Sequence, residues 1–228
     1  TINRALNDLA QVESTTLTTP SVLNWKTDYT YYSPGTGLTS NVIGSMTHNP
    51  IGLTISYQYD NRGYISKMLE NGVEQAAYTY DAAGQLVREN NKKLNKTICY
   101  EYDNGGNLLW KKEYAYTTGA LGDATKTYSY GYADTVWKDK LTSYNGESIT
   151  YDAIGNPLTY LNGLRFTWTG RQLTGISYNL IPGSYSYNAD GIRTKKVING
   201  TVTEYYLEGS RILGQKTGEQ EQWYHYDS

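Results

Sequence analysis

The chain has 228 residues, a formal net charge of −2 from 20 basic and 22 acidic side chains, and 38% apolar content in which tyrosine supplies 25 residues and phenylalanine one. Both signs of charge are mixed along the chain, so there is no basic stripe of the kind that holds nucleic acid. The single cysteine, Cys99, leaves no internal disulfide framework, and no run of about 18 apolar residues exists to span a membrane.

Residues 1–56 are weakly patterned. Leu6 and Leu9, three apart, suggest a short helix over residues 3–12, too brief to stand alone in water. Residues 15–19, Thr-Thr-Leu-Thr-Thr, suggest a strand. Tyr29-Thr30-Tyr31-Tyr32 followed by Pro34-Gly35-Thr36-Gly37 resembles a later, clearer pattern with a rebuilt turn, and the whole stretch reads as degenerate copies of one repeat. Residues 1–11 show no basic start followed by an apolar stretch, and both ends look cut, so the chain is expected to be a fragment of a longer protein.

Residues 57–228 carry the repeat in full. Tyr-x-Tyr-Asp-x-x-Gly occurs at Tyr57, Tyr59, Asp60 and Gly63, at Tyr78, Tyr80, Asp81 and Gly84, and at Tyr100, Tyr102, Asp103 and Gly106. Worn copies follow at Tyr128-Ser129-Tyr130, at Ile149 with Tyr151, Asp152 and Gly155, at Phe166-Thr167-Trp168, at Tyr185, Tyr187 and Gly191, and at Tyr224-His225-Tyr226-Asp227, with Glu204-Tyr205-Tyr206-Leu207-Glu208-Gly209 filling the long gap before the last. Residues i and i+2 of a strand share a face, so both aromatics of a triplet stand on one side of a sheet. Asp suits the first place of a type I turn and Gly can take positive φ three residues on, so Asp-x-x-Gly is a hairpin turn closing on a glycine bulge. Asn71-Gly72, Asn145-Gly146, Asn162-Gly163 and Asn199-Gly200 fall between these turns and mark hairpins of type I′. One repeat is two antiparallel strands, and the chain predicts on the order of 16 strands in one all-β meander that curls as twist accumulates. Each buried tyrosine brings a hydroxyl that must find water or a partner, which suits a wall with one wet face better than a dry core.

Chemistry is sparse. The histidines, His48 and His225, are far apart, and no Cys-x-x-Cys, Gly-x-Ser-x-Gly or phosphate-cradling loop is present. The turn Asp residues line one sheet edge in one structural role, and no pair of carboxylates can be argued across a cleft. Cys99 reads as a small buried apolar residue. Asn95-Lys96-Thr97 and Asn199-Gly200-Thr201 match a glycosylation acceptor pattern. No catalytic residue, cofactor or metal site is assigned, and the conspicuous residues are those of the structural repeat.

These blocks, above all Tyr144-Asn145-Gly146 through Tyr151-Asp152-Ala153-Ile154-Gly155-Asn156-Pro157-Leu158 and then Tyr187-Asn188-Ala189-Asp190-Gly191-Ile192-Arg193, resemble the YD-repeat, or Rhs-repeat, family, in particular the late repeats of large Gram-positive surface or secreted proteins. The resemblance covers residues 57–228 well and 29–53 loosely. It implies a spiral of antiparallel strands forming part of a hollow β-shell, extracellular or at the cell surface, with neighbouring repeats and an enclosed C-terminal toxin domain as partners. The family's Asp-Pro-x-Gly-Leu-like boundary string is absent, so no cleavage residue carries over. The alternative is a cell-surface array binding cell-wall glycans, since residues 199–209 resemble the hairpins of choline- and glucan-binding repeats. Neither reading makes the chain an enzyme.

Overall fold

A computed structural model describes residues 2–18, 25–161, 163–224 and 226. They form 21 β-strands and no helix, more strands than the roughly 16 expected because the weakly patterned stretch also folds into hairpins. None of it is a helix long and apolar enough to cross a membrane.

The chain divides into two compact units, one ending at Tyr128 and one running from Ser129 to Tyr226. In the first, β1 (Ile2–Leu6), β2 (Val12–Leu17), β3 (Trp25–Tyr31), β4 (Ile43–Asn49), β5 (Leu53–Tyr59), β6 (Ile65–Glu70), β7 (Val73–Tyr80), β8 (Leu86–Asn91), β9 (Lys96–Tyr102) and β10 (Leu108–Ala115) pair antiparallel in chain order. At the division lies β11 (Lys126–Gly131). The second unit adds the two-residue strands β12 (Ser143–Tyr144), β13 (Glu147–Ser148) and β14 (Thr159–Tyr160). It continues with β15 (Leu164–Thr169), β16 (Gln172–Tyr178), β17 (Ile181–Tyr187), β18 (Arg193–Ile198), β19 (Thr201–Glu208), β20 (Arg211–Thr217) and β21 (Gln220–Trp223), where β14 to β21 again pair antiparallel in chain order.

Strands touch only their neighbours in the chain, so each unit is a meander without a second layer laid over it. The core is correspondingly thin. Among the described residues the buried apolar side chains are Ala76, Ile98 and Ile149, and Thr97, Glu113 and Thr203 are buried beside them as polar groups.

The expected helix over residues 3–12 is not formed. Asn7 Oδ1 instead accepts the N–H groups of Leu9 and Gln11, both at 3.0 Å, and the Ala10 N–H donates to the Asn7 carbonyl at 2.9 Å. This is the turn of an Asp-x-x-Gly copy with Asn for Asp and Ala10, at φ 59°, for Gly. An Asx turn satisfies these donors locally, which a two-turn helix with no partner to pack on cannot match. Residues 15–17 are in β2 as expected, while Thr19 lies outside the described residues. Cys99 is half-buried on β9, not sealed in a core, because its side of the sheet is only partly covered.

The opposite edge carries the two-residue turns. Asn71 and Gly72 have φ of 48° and 78°, Asn145 and Gly146 50° and 81°, and Asn199 and Gly200 48° and 79°, all type I′. Asn162 lies outside the described residues. The β16–β17 turn is Asn179-Leu180, with Leu180 at φ 66° and its side chain 99% exposed. A leucine in the left-handed region clashes with its own backbone and gains nothing from burial here. Leu180→Gly is therefore expected to stabilise the chain by about 1 kcal/mol, read as a raised denaturant midpoint at constant slope.

Candidate functional site

The repeated triplet is the place where sequence and structure concentrate. Register puts Tyr57 and Tyr59 on one face with Met68 and Ile65, Tyr78 and Tyr80 with Glu89 and Leu86, and Tyr100 and Tyr102 with Lys111 and Leu108. In the second unit Phe166 and Trp168 stand opposite Ile176 and Leu173, and Tyr185 and Tyr187 opposite Lys196 and Arg193. The residue between each pair, Gln58, Thr79, Glu101, Thr167 or Ser186, is exposed on the other face.

Beside each triplet the return strand holds one residue too many. Gln58 pairs Lys67 and Tyr59 pairs Ile65, so Ser66 is extra; Val87 is extra in the next hairpin. The same bulge adds Gly44, Thr174 and Leu213 in their hairpins. The ladder to the following hairpin also stops short. Strands β6 and β7 end their pairing at Lys67 and Ala77, and β8 and β9 at Arg88 and Cys99. The carbonyls of Ile65 and Leu86 thus lie beyond the last rung, with no strand N–H to meet them.

The second ring of the next triplet fills that gap. The Tyr80 hydroxyl donates to the Ile65 carbonyl at 2.9 Å and the Tyr102 hydroxyl to the Leu86 carbonyl at 2.9 Å. Tyr31 donates likewise to Val12 at 3.0 Å and Tyr59 to Ile43 at 2.5 Å. In the second unit Tyr187 donates to Leu173 at 2.8 Å, Tyr226 to Ile212 at 2.5 Å, and Tyr151 to Leu141. Trp168 does the same with its indole, Nε1 donating to the Pro157 carbonyl at 2.7 Å. Burial raises the phenol pKa at Tyr59, Tyr80, Tyr102 and Tyr151, so these hydroxyls stay protonated donors.

The turn acids are tied into their own loops. Asp103 Oδ1 accepts the N–H groups of Gly105 and Asn107 at 2.8 and 2.9 Å, and Oδ2 takes the Asn107 carboxamide at 2.9 Å. Asp152 makes the same set with Ile154 and Asn156, and Asp60 accepts from Arg62 and Tyr64. The Asn107 carboxamide, then its backbone N–H, lowers the Asp103 pKa. Asp60 and Asp152 are also lowered, because the loop donors outweigh a partial loss of water that pushes the other way. Asp81 Oδ1 accepts the Gln85 N–H at 2.8 Å, and Asn188 Oδ1 serves Asp190 and Ile192 without a charge. The glycines after these residues, Gly63, Gly84, Gly106, Gly155 and Gly191, have φ between 78° and 87°. At Gly84 a Cβ would in addition collide with the Tyr64 ring.

Sequence reasoning passed over the structural roles of three side chains. Glu113, 6% exposed, pairs with Lys96 at 2.6 Å and Lys111 at 3.5 Å; the Lys96 hydrogen bond lowers its pKa most. Asp134, held at about 2 by Lys140 and by the N–H groups of Trp137 and Val136, anchors the irregular stretch after β11. The hydroxyl of Thr97, fully buried, donates to the Thr117 carbonyl at 2.8 Å and accepts the Thr117 N–H at 3.0 Å. That burial also removes the hydroxyl of the Asn95-Lys96-Thr97 acceptor pattern from reach. All three tie polar side chains across strands and loops, and no cluster of three His, Cys, Asp or Glu with metal-binding geometry occurs among the described residues. His48 is bonded to Thr27, with Nδ1 3.0 Å from the hydroxyl, while His225 lies outside the described residues.

Two results are expected from this geometry. Tyr80→Phe should cost about 1 kcal/mol in denaturant unfolding, since it removes a donor and leaves a carbonyl without one, whereas Tyr57→Phe in the first place of its triplet should cost much less. The lowered carboxyls of Asp60, Asp103 and Asp152 favour the folded state above their ordinary pKa of 3.8, and that contribution is lost as pH falls through the lower folded values. The melting temperature should accordingly fall below about pH 4. Asp103→Asn, which keeps an Oδ1 acceptor as Asn188 does, should flatten this acid loss; an unchanged profile would remove Asp103 from its causes.

Comparison with known proteins points the same way. The teneurin YD-shell family model matches residues 35–119. The tRNA nuclease WapA of Bacillus subtilis is 30% identical over 138 residues, covering 58% of this chain and 5% of that protein. The tRNA3(Ser)-specific nuclease WapA of Bacillus spizizenii is 29% identical over 137 residues with the same coverage. Among solved structures, TcdB2-TccC3-Cdc42 superposes with a TM-score of 0.61 at 16% identity, over 96% of this chain and 14% of that one. The Photorhabdus luminescens Tc holotoxin pore gives 0.59 at 15%, over 95% and 14%. The chain thus spans about one twentieth of its curated relatives and one seventh of its structural neighbours. Its Tyr-x-Tyr-Asp-x-x-Gly hairpins and open antiparallel meanders thus go with a likeness to YD-shell proteins, in sequence over residues 35–119 and in fold over nearly the whole chain.

Proposed function

We propose that this chain is a non-enzymatic wall segment of a larger extracellular or cell-surface YD-repeat protein, and that the wall encloses a C-terminal toxin domain used in competition between cells. The observation that carries the reading is the clamp from one hairpin to the next, from Tyr31 to Tyr102 in the first unit and from Tyr151 to Tyr226 in the second. A wall needs hairpins that hold their neighbours along its length, and a catalytic scaffold has no use for the same bond made eight times. Nuclease names among the relatives are compatible with this role, since the match covers 5% of those proteins and leaves their activity to the rest of the chain. The partners on this reading are adjacent repeats and the enclosed domain, with no nucleic acid bound by the wall itself.

The test is limited proteolysis of the parent protein. Any domain downstream of the repeats should resist cleavage while the wall is intact, and should become cleavable when Tyr80→Phe and Tyr102→Phe together loosen it. A downstream domain cut as fast as the same domain alone would defeat enclosure.

One observation favours a second role. Trp223, 56% exposed, lies parallel to Tyr206 at 5.1 Å and 6°, over the side-chain-free Gly214, and the Tyr206 hydroxyl is fixed by Glu221 at 3.0 Å. A flat aromatic platform beside a carboxylate suits a sugar ring. Binding of cell-wall glycans with quenched tryptophan fluorescence, lost in Trp223→Ala, would move the assignment to a glycan-binding surface.

A further inference from the structure

The Asn-Gly turns share a backbone but not a neighbour. The Asn71 N–H donates to the Thr54 carbonyl at 2.8 Å, and its Oδ1 accepts the Thr54 N–H at 2.8 Å. Asn145 makes the same pair of bonds with Ser129, at 2.8 and 2.9 Å. Each asparagine side chain is thus held against the preceding hairpin. The Asn199 N–H donates to the carbonyl of Pro182 at 3.0 Å, but proline has no N–H to offer in return. No hydrogen bond reaches the Asn199 carboxamide among the described residues, and both Asn199 and Gly200 are exposed. A fourth pair, Asn104-Gly105, is restrained at the other partner, since the Gly105 N–H donates to Asp103 Oδ1 at 2.8 Å. The remaining pair includes Asn162, outside the described residues.

We propose that Asn199-Gly200 is a site of spontaneous covalent modification, closing to a succinimide faster than the pairs at 71, 104 and 145. The Gly200 backbone nitrogen loses its proton to solvent base and attacks the Asn199 side-chain carbonyl carbon. The new N–Cγ bond forms as the Cγ–Nδ2 bond breaks, and the amide nitrogen leaves with protons from water as ammonia. Water then opens the ring at either carbonyl, giving aspartate or isoaspartate; one water is consumed, one ammonia released and nothing is oxidised or reduced. Glycine gives the attacking nitrogen no side-chain shield. What separates the pairs is the freedom of the carboxamide to rotate toward that nitrogen, which the Thr54 and Ser129 N–H groups restrict and Pro182 does not.

Modification would change this edge. Residues 198–202 carry no charge, and Ile198 and Val202 beside the turn are exposed. Aspartate places a carboxylate between them, and isoaspartate lengthens the backbone of the two-residue turn that sets the pairing of Val197 with Val202 and Ile198 with Thr201.

The experiment incubates the folded 228-residue chain at mildly alkaline pH and follows each Asn-Gly peptide by mass spectrometry, with the denatured chain in parallel. In the folded chain Asn199 should convert about fivefold faster than Asn71 or Asn145, the bias that one ordinary hydrogen bond imposes. The rates should draw together in the denatured chain. Pro182→Ala, which supplies the missing N–H, should slow Asn199 to the rate of the others. Equal rates in the folded chain, the same ranking after denaturation, or a Pro182→Ala variant with native circular dichroism and an unchanged Asn199 rate would each overturn the assignment. Should that variant misfold, the folded and denatured rankings of the unaltered chain decide alone.

Discussion

A sheet with no second sheet packed over it has to hold its aromatic face together from within, and the hydrogen bond that the second ring of eight triplets makes to a carbonyl of the preceding hairpin is how this chain does so. The Asp turns are followed by a bulge, the bulge raises local twist, and the ladder to the next hairpin stops short of the edge. Left alone, that end would expose unpaired carbonyls and let neighbouring hairpins splay. Tyr80 on Ile65 and Tyr102 on Leu86 close it. This accounts for the choice of tyrosine over phenylalanine: a phenyl ring covers the same area and leaves the carbonyl without a donor.

Stability on this plan is a chain of nearest-neighbour terms. Among the described residues strands touch only those beside them, and almost no apolar side chain is fully buried. Such arrays lengthen by adding equal units, and damage to one hairpin is felt by the two it contacts. The polar groups that are buried take the place of a second layer. Glu113 between Lys96 and Lys111, and Thr97 under the Thr117 backbone, tie strands and loops together where a sandwich would use leucine. Buried charges without partners would be costly, and here Glu113 has two.

The period-2 aromatics, the Asp-x-x-Gly edge and the Asn-Gly edge were legible in the residues because each rests on local sterics: alternation on a strand and positive φ at a turn. The hairpin over residues 2–17 was not, because Asn7 and Ala10 spell the same turn in unfamiliar letters and Leu6 with Leu9 imitates helical spacing. The clamp was out of reach for another reason. A triplet shows that two rings share a face, but which hydroxyl bonds back depends on where a ladder in the previous hairpin ends, a property of register between segments some twenty residues apart. Glu113 was hidden likewise, since its Lys96 partner comes from the neighbouring strand β9.

Worn copies show what the clamp tolerates. Trp168 replaces tyrosine and keeps the bond through an indole N–H, so the requirement is a flat ring with a donor at its far end. Leu207 stands where that ring would be in the β19 copy and has no donor to give. The carbonyl it would have served belongs to Arg193, and there the side chain does what the backbone bond cannot. Its guanidinium lies 4.3 Å from the Tyr185 ring and 5.7 Å from the Tyr187 ring, with the Tyr187 hydroxyl at 3.3 Å. A cation stacked on two rings holds the aromatic face laterally, within one hairpin instead of between two, and its buried Nε is left without a partner. Losing the donor from one copy therefore shifts the load onto a neighbouring charge, at the cost of one unsatisfied nitrogen, which is how a repeat can drift in sequence while its fold stays continuous.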